Sequence, residues 1–134
     1  MRTLHAAVIT VLEEGLSRPV GDTRSPDGDP FDLAPYVVVY PLWRHGSDGP
    51  TDDKQADGIY AEQFTCVGRD PEGALWMRDT IRTILTRAAL QAEWTDGTVM
   101  FIDWDDGSGA VNRDDDLQPP LFYCTDRIDI GVTP

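Results

Sequence analysis

Apolar positions fall into a few strongly patterned runs. Leu4, Ala7, Val8, Val11 and Leu12 recur at helical spacing and predict an amphipathic helix over 3–16. Thr3 suits its N-cap, Gly15 weakens its last turn and Pro19 lies beyond it. Tyr36-Val37-Val38-Val39-Tyr40 is β-branched, aromatic and too short for a helix, so it predicts a central strand extending toward Trp43. A second strand is expected at Ile59–Val67, with Tyr60, Phe64 and Cys66 apolar and Glu62 and Gln63 partly solvated. Asp70-Pro71-Glu72 then opens a helix running to about Ala92, with a buried stripe of Met77, Ile81, Ile84, Leu85 and Ala88. Thr98–Trp104 is a short apolar strand. Leu121–Val132 is the last strand, with Phe122, Cys124, Ile128 and Ile130 on one face and Thr125, Arg127 and Asp129 on the other.

The element order is α-β-β-α-β-β. Two amphipathic helices must cover something, and the sheet is the candidate. The pattern predicts an α+β domain of two layers: a mainly antiparallel four-stranded sheet with two helices packed on one face. Strands 36–43 and 59–67 pair most simply as a long-looped antiparallel hairpin. The 134 residues suit a single domain, 1–134, with long loops at 17–35, 44–58 and 105–120. Loops of that length in a compact domain are usually functional or disordered.

Composition narrows the function. There are 19 Asp and 5 Glu against 10 Arg and the single Lys54, for a formal net charge of −13. Such a chain is ill suited to gripping nucleic acid, whose non-specific affinity comes from cationic side chains on phosphates. Anionic membranes repel it for the same reason. No run approaches the ~20 apolar residues of a membrane span, and Glu13 and Glu14 interrupt any signal-peptide pattern, so a soluble cytosolic product is expected. Cys66 and Cys124 sit in apolar runs. Two buried free thiols are the preferred reading over a disulfide or redox pair.

Catalytic signatures are scarce. The two histidines, His5 and His45, read as exposed polar residues, and no nucleophile elbow accompanies them. Asp103-Trp104-Asp105-Asp106-Gly107-Ser108-Gly109 resembles a calcium loop but misses the EF-hand register, because Gly107 stands where a ligand is required. A solvated, self-repelling loop is preferred to a one-off Ca²⁺ or Mg²⁺ site. Arg69 beside the second helix is the best local anion site, although Asp70 and Glu72 already serve that helix end. No metal, cofactor or catalytic residue is expected. The tryptophans are more suggestive: Trp43, Trp76 and Trp104 lie at element ends or off the main stripe, where capping of the core is the first reading and a protein–protein contact beside the long loops the alternative.

The segment Tyr36–Leu85 carries a family resemblance. A strand Pro35-Tyr36-Val37-Val38-Val39-Tyr40 and a Gly/Asp-rich loop precede the strand Glu62-Gln63-Phe64-Thr65-Cys66-Val67-Gly68. A helix with Ala74-Leu75-Trp76-Met77 and Ile81-Arg82-Thr83-Ile84-Leu85 follows. This resembles the tail terminator (minor tail or tail-completion) proteins of long-tailed bacteriophages, over roughly residues 3–92. The motif is a pattern of core residues, not a catalytic signature.

The resemblance implies a non-enzymatic virion protein at the head-proximal end of the tail, assembled in the host cytoplasm. Such subunits form a ring, typically a hexamer, that caps the tail tube, ends its polymerisation and receives the head-completion or connector protein. Its partners would be further copies of itself, the tail tube protein and the connector, with DNA passing through unbound. The family contacts its neighbours through extended loops and sheet edges. The matching regions here bring forward Trp43, Arg44, His45, Asp52, Asp53 and Lys54, and Trp104, Asp106, Asp114 and Asp115, as interface candidates. Other neck, connector or tube subunits are the near alternatives. An acidic DNA mimic is more distant, because the aspartates sit in loops and not along one face.

Overall fold

The structure, a computed structural model, describes residues 3–42, 58–105 and 110–133. It contains α1 (Leu4–Gly15), β1 (Val20–Asp22), α2 (Pro30–Leu33), β2 (Tyr36–Pro41), β3 (Gly58–Gly68), α3 (Pro71–Ile84), α4 (Arg87–Glu93), β4 (Thr98–Trp104), β5 (Asn112–Asp114) and β6 (Leu121–Thr133). The chain is therefore a mixed α and β protein. Its sheet has six strands where four were expected, ordered β1-β2-β3-β6-β4, with β5 also on β6.

The expected hairpin forms, with β2 antiparallel to β3 from Tyr36 opposite Val67 to Pro41 opposite Glu62. β3 and β6 make the longest ladder, from Gly58–Val132 to Gly68–Phe122. β4 and β5 share the other side of β6. Only β1 runs parallel to its neighbour, β2.

The two main helices lie on one face. α1 contributes Leu4, Ala7, Val8, Val11 and Leu12, and α3 contributes Ala74, Met77 and Ile81. They close over Val37, Val39, Phe64, Cys66, Cys124, Ile128, Ile130 and Val132. Each fully buried Leu, Ile or Phe stabilises the fold by roughly 1.5–3 kcal/mol. Both helix starts match the sequence. The Thr3 hydroxyl accepts from the Ala6 N–H at 3.0 Å, and the Asp70 carboxylate accepts from the Gly73 N–H at 2.7 Å.

Three expectations need correction. The predicted single helix 70–92 breaks after Ile84. Thr86 caps a new helix, its hydroxyl accepting from the Ala89 N–H at 3.1 Å, so Leu90 enters the core and Ala88 is exposed. The loop 17–35 holds β1 and α2. Arg18 donates to the carbonyls of Leu33, Ala34 and Pro35, which fixes the approach to β2. The third loop holds β5. The second sheet face is consequently not bare: Phe31, Leu33, Ala34 and Leu117 pack with Tyr36, Val38, Val67, Leu121 and Tyr123. The predicted loop 44–58 lies, up to Asp57, outside the described residues.

Glycine at 68 follows from close approach. A Cβ there would lie 2.4 Å from the Ala74 nitrogen, so β3 can turn into α3 only without a side chain at this point. Among the described residues no helix is long and apolar enough to cross a membrane.

Candidate functional site

Three features stand out: two buried carboxylates with their cationic partners, and the open margin of the sheet. Strand alternation explains the carboxylates. Glu62 shares the core-facing parity of Phe64 and Cys66, and Asp126 lies between Cys124 and Ile128 on the same face of β6. Both are only 3% exposed. The expectation that Glu62 is partly solvated is therefore wrong: parity drives its side chain under α1.

His5, on the first turn of α1, meets Glu62 there. Its Nδ1 is 3.0 Å from both Glu62 carboxylate oxygens and its Nε2 is 2.6 Å from Asp22 Oδ1 on β1. An ionised carboxylate only accepts, so full satisfaction needs both ring nitrogens protonated. Burial opposes that charge, yet the Asp22 hydrogen bond and the negative charge of Glu62 outweigh it, and the His5 pKa lies above 6.5. Burial pushes Glu62 above 4.5, with His5 pulling the other way. His5 is thus a bridge between α1, β1 and β3, not the free surface residue that the sequence suggested. A pocket of about 390 Å³ opens beside it, lined mainly by Thr3, Leu4, Pro41, Leu42 and Tyr60.

Arg82 reaches the other carboxylate. Its Nε and Nη2 donate to Asp126 at 2.7 and 2.8 Å, and Nη2 also donates to the Asp105 carbonyl at 3.1 Å. The guanidinium stacks 5.2 Å from the Trp104 ring centroid. Trp104 in turn packs on Phe64, with ring centroids 5.7 Å apart. This bidentate pair joins α3 to β6 and to the end of β4.

The interface candidates scatter. Trp104 turns its ring toward the core. Asp114, on β5, lines a second pocket of about 240 Å³ with Tyr36, Tyr40 and Tyr123. Asp115 is exposed and pairs with Arg113 at 2.6 Å. Trp43, Arg44, His45, Asp52, Asp53, Lys54 and Asp106 lie outside the described residues. Arg69 is no anion site: it donates to the Phe31 and Asp32 carbonyls and lies over the Phe31 ring. Among the described residues no group of three or more His, Cys, Asp or Glu is placed to hold a metal. Cys66 and Cys124 are buried free thiols directly opposite each other on β3 and β6. Their mutual hydrogen bond and burial push the Cys66 pKa up.

The margin of the sheet is the third feature, and the sequence did not indicate that Thr98–Trp104 would form it. Among the described residues β4 pairs only with β6, and it carries a register shift between Val99 and Phe101. Met100 and Phe101 are 58% and 43% exposed there, and Trp76 on α3 is 49% exposed. Gly131 makes room for Phe101, since a Cβ on it would overlap the ring. At the start of β4 the outward Val99 N–H donates to Gln91 Oε1 at 2.7 Å, and its carbonyl accepts from Arg87 at 3.1 Å, so α4 covers the edge there. No protein-family model matches the chain, and no curated protein matches it.

Proposed function

We propose that this chain is a structural subunit that assembles head to tail into a ring, of the kind that caps a phage tail tube and receives the connector. The resemblance of Tyr36–Leu85 to tail terminators supports the biological setting. One structural observation carries the assembly: β4 ends the sheet with an apolar bulge, and beyond the stretch that α4 covers its outer edge pairs with no strand among the described residues. Exposed edges of this type are normally blunted or covered, and a neighbouring subunit is one such cover. A closed ring uses one patch against a different patch of the next copy, and a sheet with two unlike edges provides that. The acidic surface would repel phosphates, so DNA passes such a ring without adhering.

Light scattering with negative-stain imaging of the purified protein, alone and mixed with tail tubes, tests this reading. Discrete rings, or single rings at tube ends, are expected. Long homopolymeric tubes would instead identify a tube subunit. Absence of association both alone and with tubes would refute the proposal.

A further inference from the structure

Both outer edges of the sheet can be phased residue by residue. On one side the Asp105 N–H donates to the Arg127 carbonyl at 2.9 Å. The register from Phe101–Gly131 to Trp104–Ile128 is regular. Hydrogen-bonded and non-bonded pairs alternate in an antiparallel ladder. Ile102 and Trp104 therefore aim their N–H and C=O groups away from β6, and nothing among the described residues bonds to them. On the other side the Val37 N–H donates to the Pro19 carbonyl and the Thr23 N–H to the Val39 carbonyl. Residues 19, 21 and 23 thus face β2, leaving Val20 and Asp22 facing outward. Among the described residues the Asp22 carbonyl accepts only from its neighbour, the Thr23 hydroxyl, at 2.6 Å.

Charge distinguishes the two edges. Asp103 stands directly opposite Asp129 on the far sheet face. Like charges in that position repel. Arg127 serves Asp129 at 3.3 Å, and Asp103 has no partner among the described residues. At the β1 edge Thr23 adopts the left-handed region, with φ 64°. The turn carries the Arg24 carbonyl over the far face of Gly21. The Arg24 side chain is 80% exposed and forms a long ion pair with Asp27, at 3.9 Å. The backbone of Arg24 at one edge and, at the other, a carboxylate pair in which Arg127 relieves Asp129 but not Asp103 thus lie on the same sheet face. β1 and β4 also run in opposite directions within the sheet.

We infer that β4 of one copy pairs antiparallel with β1 of the next, Ile102 and Trp104 bonding to Val20 and Asp22, with Arg24 of that copy reaching Asp103 and Asp129. The occupant of the β4 edge is a second copy of this chain. The inference rests on the ring reading and specifies its interface. The Met100–Phe101 bulge would then flank the joint, losing its exposed apolar surface to the neighbour.

Charge exchange and amide hydrogen exchange test it on the full chain. R24E and D103R should each weaken association about tenfold, and the double variant R24E/D103R should return to within about threefold of the wild type, since a cross-strand charge pair contributes up to ~1 kcal/mol and its reversal costs a similar amount. Both positions are on the surface, and unchanged thermal unfolding at low concentration checks that the subunit still folds. The Val20, Asp22, Ile102 and Trp104 amides should be protected only in the assembled form. Rings that keep those amides unprotected and ignore both charge variants would overturn the inference while leaving the ring reading intact. A chain that stays monomeric at millimolar concentration also overturns the inference, and the ring reading is then decided by the tube-end imaging.

Discussion

Replacing His5 gives the sharpest test of how α1 is fastened to the sheet. His5→Leu keeps a good helix former on α1 but removes both ring nitrogens from their carboxylates. The bond to the buried Glu62 is charge-assisted and contributes roughly 1.5–3 kcal/mol. Asp22 is largely exposed, so its bond contributes under about 1 kcal/mol. H5L should therefore lose roughly 2–4 kcal/mol at pH 6. The double variant H5L/E62L, which also removes the stranded carboxylate, should lose less than the sum of the two single changes. The pH dependence has a definite sign. The His5 pKa is raised in the folded state, so its contribution is fully present below pH 6.5 and is lost as pH rises through the folded-state value. Glu62, raised above 4.5 by burial, acts in the same direction from pH 4.5 upward. Urea denaturation from pH 5 to 9 reads both effects, and wild-type stability should decline above pH 6.5 more steeply than that of H5L. Equal slopes, or an H5L loss below 0.5 kcal/mol at pH 6, would refute the bridge as described.

Three further outcomes are expected. Arg82→Ala should destabilise by about 3–5 kcal/mol and Asp126→Asn by clearly less, because the buried Asp126 side chain cannot be resolvated whereas Arg82 is partly open to water; chemical denaturation measures both, and equal losses would contradict the asymmetry. Gly68→Ala should cost more than about 3 kcal/mol or prevent folding, since backbone blocks the new Cβ, while Gly131→Ala should cost about 1 kcal/mol because only the half-exposed Phe101 ring must move; thermal unfolding ranks the two, and the reverse order would refute the packing argument. Thr23→Gly should raise stability by up to about 1 kcal/mol by releasing a β-branched residue from positive φ; a lower melting temperature would show that the turn is not strained.

Long-range repetition made the main elements legible. The span of β4 agrees with the reading of Thr98–Trp104, and β2, β3, β6, α1 and the start of α3 lie within a few residues of their predicted places. Each has enough apolar or capping residues to declare its period. β1 has three residues and no period; it exists because β2 offers it an edge. The break at Leu85–Thr86 was hidden because the apolar stripe continues across it, although Thr86 is a good N-cap. Alternation alone places Glu62 and Asp126 among core residues, but the charge of Glu62 suggested partial solvation, and Asp126 was not assigned to either face. Their partners, His5 and Arg82, lie 57 and 44 positions away, a distance that periodicity does not span. Most interface candidates fall in segments outside the described residues, and Trp104 follows the core-capping reading of an element-end tryptophan: its ring packs on Phe64.

β6 has a kinetic consequence. It follows β3, β4 and β5 in the sequence, yet β4 and β5 depend on it for their ladders and β3 for its longer one. Until Leu121–Thr133 has left the ribosome, β3 and β4 cannot acquire their shared neighbour, and the helices lack half of the surface they cover. The sheet must therefore condense after β6 emerges, through contacts of large sequence separation, which slow folding. The β4 margin does not exist as an ordered edge before that moment, so a half-made chain presents no properly formed strand on which another copy could build.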